Sequence, residues 1–155
     1  MKTVLLTIIL SFSNIIPQPY SVQEKDGEFA IDKTAVSLDK SFSDLARTNV
    51  EAFAARLAAV SGRQCTFGKK AAGKGGINFV SDEGVAAQGY VLDVTPEGVS
   101  VRASDDYGVL YAIQTLKQLL PAEIYGSKAA AADWAIPCCR IEDRPRFGYR
   151  GMHLD

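Results

Sequence analysis

GYVLDVTPEGVSVRASDDYGVLYAIQTLKQLLP, residues 89–121, is the stretch that decides the fold. Tyr90, Leu92 and Val94 alternate with their neighbours and so share one face of a strand. Val99, Val101 and Ala103 share a face in the next run. The TPEG between the runs, with Pro96 and Gly98, suits a tight turn, so the two runs read as a hairpin. The apolar period then changes from two to that of a helix. Ser104 or Asp105 caps this helix, and Val109, Ala112, Ile113, Leu116 and Leu120 mark its buried side. Pro121 stops it.

Upstream, an earlier helix follows the same logic. Ser41 with Asp44 three residues on resembles a capping box. Leu45, Phe53, Leu57 and Val60 fall on one face, and Gly62 stands where a left-handed cap would end the helix. Before it come short extended pieces. Residues 20–24 form a strand that KDG (25–27) turns, and residues 29–31 and 35–38 follow. Pro17 and Pro19 keep the residues ahead of these out of a helix. Residues 64–67 and 77–80 add two strands before the hairpin. After the second helix an Ala-rich loop covers about residues 123–133, and WAIPCCRIEDRPRFGYRGMHLD reads as two extended segments around Pro145. The expected fold class is α+β: a mixed sheet with two helices packed on one face.

Composition bounds the function. The 155 residues are 47% hydrophobic and 23% charged, which suits a globular domain able to bury roughly 70% of its unfolded surface. A net charge of −1 gives no pull toward nucleic acid or an anionic membrane. No apolar run reaches the ~18 residues of a spanning helix. MKTVLLTIILSFSN has Lys2, an apolar run over residues 4–12 and the small residues Ser11 and Ser13. That is the layout of a secretory signal peptide over residues 1–13, and it predicts export to the periplasm or the exterior. A buried first strand would fit the same Val, Ile and Thr content. No Cys lies near the expected cut to carry a lipid anchor.

Motifs for chemistry are sparse. GKKAAGKG (68–75) matches a phosphate loop except that Gly75 stands where Ser or Thr would ligate magnesium, and a strand follows it where the anion cradle needs a helix. It reads as a basic connection between strands. Asp105 and Asp106 are adjacent acids, but they sit at a helix start, where acids meet the helix dipole favourably. His153 is the sole histidine, so no zinc motif or His-based triad can be written. Cys65, Cys138 and Cys139 form no metal spacing, and they read as buried thiols unless Cys65 pairs with one of the others. Cys138 and Cys139 would face opposite sides of a strand. No cofactor or metal is expected.

Three stretches together resemble the N-terminal part of family 20 glycoside hydrolases, the β-N-acetylhexosaminidases. NIIPQPYSVQEKDGEFAI (14–31) is similar to the family's Ile-Pro-x-Pro opening and short strand. Residues 89–121 are similar to its Gly-Tyr-x-Leu strand, turn, second strand, and helix with Gln-Thr-Leu. IPCCRIEDRPRFGYRGMHLD (136–155) is similar to its Ile-x-Asp-x-Pro-Arg-Phe-x-x-Arg-Gly-x-x-Leu-Asp start of the catalytic barrel. The resemblance implies a non-catalytic accessory domain over 14–143, of the zincin-like kind, and the truncated beginning of a (β/α)8 barrel over 144–155. It implies removal of terminal β-linked GlcNAc or GalNAc with retention, in which the sugar's own acetamido oxygen attacks C1. A Glu would act as general acid and the preceding Asp would orient the acetamido group. That Asp-Glu pair is absent from these residues, so the chain carries no catalytic residue of its own.

One family residue carries over. Arg150 matches the Arg whose guanidinium hydrogen-bonds hydroxyls of the terminal sugar, work suited to a fixed fork of donors. An ion pair between Arg150 and a carboxylate such as Asp155 is the plainer role. Asp155 matches a recurring Asp read as structural, and His153 stands at an apolar family position without a role. The resemblance also implies packing of the accessory domain against its own barrel. Two other readings stay open: a free-standing accessory module that binds glycan or protein without catalysis, and an O-GlcNAc hydrolase or α-glucuronidase with a similar N-terminal domain. RGMHLD (150–155) fits the hexosaminidases better than the latter.

Overall fold

The computed structural model describes residues 15–68 and 75–151. Seven strands form one mixed sheet: β1 (Ser21–Ala30), β2 (Lys33–Leu38), β3 (Gln64–Gly68), β4 (Gly76–Ser81), β5 (Tyr90–Thr95), β6 (Gly98–Ala103) and β7 (Ala135–Asp143). Their order is β1-β7-β5-β6-β4-β2-β3. Two helices, α1 (Asp44–Ser61) and α2 (Asp106–Leu119), touch each other and lie on the same face. This is the α+β layer pair expected from the sequence.

The hairpin sets the register. Leu92 opposes Val101 and Val94 opposes Val99. Beyond them Phe79 lies beside Val101, and Ile141 beside Leu92. These side chains are fully buried under the helices. The opposite face of the sheet is polar. Asp93 there accepts from Lys25 Nζ at 3.2 Å and from Arg140 Nη1 at 2.8 Å, and Arg102 reaches Asp82 at 2.9 Å. One buried and one wetted face is the arrangement that strict alternation predicts.

Several details depart from expectation. KDG does not turn the first strand. Gly27 takes a φ of 95°, β1 runs on to Ala30, and the register against β7 shifts between Glu24 and Glu28. The glycine makes a bulge, which uses the same positive φ as a turn. The cap of α1 is Ser43, whose Oγ accepts from the Leu45 N–H, while Ser41 hydrogen-bonds Asp39. Leu45 is 45% exposed, and Ala46, Val50 and Ala54 are buried with Phe53, Leu57 and Val60. Gly62 ends α1 at φ 65° as expected. The Ala-rich loop contains a 3-10 turn (Ala122–Tyr125) that buries Ile124. Arg56 holds this turn by donating to the Ile124 and Gly126 carbonyls, both at 2.9 Å.

Cys138 and Cys139 do face opposite sides of β7, and both are buried. Cys139 opposes Val94 beneath the helices, whereas Cys138 lies against the bulge at Gly27. Cys65 sits on β3, five strand spacings from β7 and so roughly 24 Å away. A bond from it to either of the others is therefore excluded by distance, and all three are free thiols. Of the second extended segment, residues 144–151 belong to no strand. The signal region, the centre of the basic loop, His153 and Asp155 lie outside the described residues.

Candidate functional site

The motif residues of the hairpin and α2 converge on one corner of the sheet. Asp105 is the N-cap of α2. Its Oδ1 accepts from the Gly108 N–H at 3.0 Å and its Oδ2 from the Gln88 N–H at 2.6 Å. Asp106 reaches sideways and accepts from the backbone N–H of Ser43 at 3.1 Å and from its hydroxyl. The acid pair is thus occupied in capping α2 and fastening the start of α1 to it, as the capping interpretation expects. Gly108 lets α2 press on the hairpin. A Cβ there would stand 2.1 Å from the Gly89 carbonyl oxygen. A Cβ on Gly89 would meet the Ala86 and Asp143 carbonyls at 2.9 and 3.0 Å. Two turns further along α2, Thr115 Oγ1 and the Tyr90 hydroxyl share a buried hydrogen bond of 2.6 Å. Burial holds the Tyr90 phenol protonated far above its ordinary value of 10.0.

The N-terminal arm and the segment leaving β7 meet beside this corner. Gln118 on α2 clamps Ile16 twice, accepting from its N–H at 2.8 Å and donating to its carbonyl at 3.0 Å. The Tyr20 N–H donates to Asp143 at 3.1 Å, and the Arg144 guanidinium lies over the Tyr20 ring at 5.1 Å. Arg146 donates to the Gln18 carbonyl at 3.3 Å. Arg150 comes last. Its Nη2 donates to Gln88 Oε1 at 2.5 Å and to the Tyr111 hydroxyl at 3.4 Å, and its Nη1 to the Phe147 carbonyl at 3.3 Å. The guanidinium carbon is 5.9 Å from the Tyr111 ring centre. Arg150 has no ion pair with a carboxylate among the described residues. Phe147 and Tyr149 beside it are 73% and 88% exposed.

Sequence reasoning selected Arg150 and missed Gln88 and Tyr111. Gln88 lies 17 residues before Asp105, with the hairpin between them, and its positive φ of 58° could not be read from the residue type.

Among the described residues, the carboxylates of the corner, Asp105, Asp106 and Asp143, are engaged by backbone N–H groups. Burial raises the thiol of Cys65 to about 11 and that of Cys139 to about 12 from an ordinary 9.0, so both stay protonated at neutral pH. Among the described residues no group of three His, Cys, Asp or Glu could hold a metal ion. A depression of ≈ 390 Å³ lined by Leu38, Lys40, Arg47 and Gly68 lies at the β2–β3 end of the sheet, away from the corner formed by the hairpin and α2. None of the described helices is long and apolar enough to cross a membrane.

Comparison with known proteins agrees with the resemblance. Residues 13–144 match the family model described as glycosyl hydrolase family 20, domain 2. A β-hexosaminidase of Porphyromonas gingivalis is 32% identical over 147 residues, covering 92% of this chain and 18% of that protein. The solved GH20 β-N-acetylhexosaminidase from Streptomyces coelicolor A3(2) superposes with a TM-score of 0.78 at 32% identity, over 88% of this chain and 27% of that one. The Streptomyces plicatus N-acetyl-β-hexosaminidase, solved in complex with Thio-NAglucal, gives the same TM-score at 30% identity. The chain therefore spans about a fifth to a quarter of these relatives' length. With the family model matched over residues 13–144 and the fold shared with these solved enzymes, the chain belongs to glycoside hydrolase family 20.

Proposed function

We propose that this chain is the N-terminal part of an exported, periplasmic or extracellular enzyme that removes terminal β-linked N-acetylhexosamine by a substrate-assisted, retaining mechanism. Residues 14–143 serve as a non-catalytic accessory domain that packs against the enzyme's own barrel, and residues 144–155 begin that barrel. The supporting observation is the family match across residues 13–144, which ends where the RPRFGYRG run (144–151) starts. The proteins it resembles are named β-hexosaminidases.

In this reading Arg150 grips hydroxyls of the terminal sugar. A guanidinium donates up to five hydrogen bonds in a fixed plane, so it can hold neighbouring hydroxyls without itself moving protons. The acetamido oxygen is the nucleophile, and the Asp-Glu pair that orients it and protonates the leaving oxygen lies on the barrel. The accessory domain contributes no proton transfer, in keeping with its protonated thiols and its capped acids.

The test is hydrolysis of an aryl β-GlcNAc by the protein carrying its barrel. Arg150→Ala is expected to lose about 2–4 kcal/mol of transition-state binding, read as a fall in kcat/KM, if two charge-assisted bonds vanish. A variant with near-normal kcat/KM would sink the role given to Arg150. The 155-residue chain alone should neither hydrolyse the substrate nor bind chitobiose by titration calorimetry. Clear binding there would favour a glycan-binding module instead.

A further inference from the structure

We propose that Gln88 is a positioning residue for the sugar-gripping guanidinium of Arg150, held ready by the N-cap of α2; the inference rests on the function proposed above.

Gln88 adopts φ 58°, the sole positive φ on a non-glycine among the described residues. Glycine would sit there without strain, and a side chain in that region stays only where the surroundings determine it. The backbone cause is visible. The Gln88 N–H is drawn to Asp105 Oδ2 at 2.6 Å while Asp105 Oδ1 caps Gly108, so one carboxylate fixes both the helix start and the residue facing it. Glycine would satisfy that backbone bond equally well. What glutamine adds is Oε1, and Oε1 accepts from Arg150 Nη2 at 2.5 Å.

The rest of the cradle completes the geometry. The Tyr111 hydroxyl accepts from the same Nη2 at 3.4 Å, its ring lies 5.9 Å from the guanidinium carbon, and the Phe147 carbonyl accepts from Nη1 at 3.3 Å. Nε–H and the second Nη1 hydrogen have no partner among the described residues, which leaves donors for hydroxyl groups. Every acceptor in the cradle is neutral. The guanidinium is therefore aimed without being neutralised by a carboxylate, and its charge remains available to a ligand. The accessory domain, though outside the chemistry, would in this way set the orientation of one substrate contact.

Gln88→Gly separates aiming from folding, because it relieves the strain at φ 58° and keeps the N–H for Asp105. In the enzyme carrying its barrel, its melting temperature should stay equal or rise, while kcat/KM on an aryl β-GlcNAc falls about tenfold, the scale of one lost bond to a charged group. Gln88→Glu keeps an acceptor at the same reach but pairs the guanidinium with a carboxylate, so it should hold Arg150 in place while kcat/KM stays below the wild-type value. In an Arg150→Ala background, Gln88→Gly should cost nothing more. Wild-type kinetics in Gln88→Gly, or an equal loss with and without Arg150, would overturn the assignment. An inactive wild type would instead overturn the functional reading beneath it. The contact itself is read on the 155-residue chain by tryptic cleavage after Arg150, expected to quicken several-fold in Gln88→Gly; unchanged cleavage rejects the cradle.

Discussion

The hairpin–α2 block and the segment that leaves β7 are neighbours built on opposite terms. In the block, nearly every motif residue has a reason inside the domain. Gly108 and Gly89 permit a backbone approach, Thr115 satisfies the Tyr90 hydroxyl, and Asp105 and Asp106 cap and brace the helices. In residues 144–151 the side chains have few such reasons. Arg144 and Arg146 touch the N-terminal arm, Arg150 touches the cradle, and Phe147 and Tyr149 face solvent. Both regions carry family motifs, yet one set of motif residues maintains a fold and the other maintains little of this one. Residues whose types are specific but whose internal contacts are thin are the ones to suspect of service to a ligand or a neighbouring domain.

The strongest way to break this contrast is Gly108→Ala. The added Cβ would stand 2.1 Å from the Gly89 carbonyl oxygen and 3.0 Å from Ala103 Cβ, so α2 must lift from the hairpin. Overpacking against backbone outweighs the ~1 kcal/mol that alanine gains in helix propensity. A net loss of about 3 kcal/mol is expected, or roughly 10 °C in melting temperature for a chain of this size. Unchanged melting would show that the close approach is not what the glycine is for.

Tyr90→Phe probes the same block more gently. It strands the buried Thr115 hydroxyl, whose partner at 2.6 Å is lost, and should cost about 1–2 kcal/mol in urea denaturation. Adding Thr115→Val removes the stranded group and should recover most of that loss, since an apolar pair needs no hydrogen bond. If the double variant is no better than Tyr90→Phe alone, the cost lies in packing and not in the unpaired hydroxyl.

The same contrast explains what could be read in advance. The hairpin and α2 were legible because their periods, turn and caps agree, and the structure places Tyr90, Leu92, Val94, Val99, Val101 and Ala103 in the core as the alternation requires. Where one signal serves two structures, reading failed. Gly27 has the positive φ of a turn, but antiparallel pairing with β7 on both sides makes it a bulge. On α1, Phe53, Leu57 and Val60 are buried as their spacing requires, but part of the contact is made by small residues that the pattern of large ones does not mark. Ala46 and Ala54 are buried while Leu45 faces out. Ser41 lost the cap to Ser43 because Asp39 takes its N–H at 2.9 Å. Of the candidate site, Arg150 was visible only by resemblance. Gln88 and Tyr111 were not visible at all, since their contacts with Arg150 arise from a backbone torsion and from a helix face brought alongside by the fold.

The smallest expected effect is the sharpest statement about the exposed segment. Replacing Phe147 and Tyr149 together by serine removes two aromatic rings, a change that in a core would cost several kcal/mol. Here the rings are 73% and 88% exposed, so the melting temperature of the 155-residue chain should move by no more than the equivalent of ~0.5 kcal/mol. Arg150 donates to the Phe147 backbone carbonyl and not to its ring, so tryptic cleavage after Arg150 should also keep its rate. A clear loss of stability would mean that these aromatics belong to this domain's own core in solution, and the division between a self-sufficient block and an outward-facing segment would then have to be redrawn. A silent double variant leaves the aromatic character of the segment unexplained by this fold, which is what a surface made for the rest of an enzyme would require.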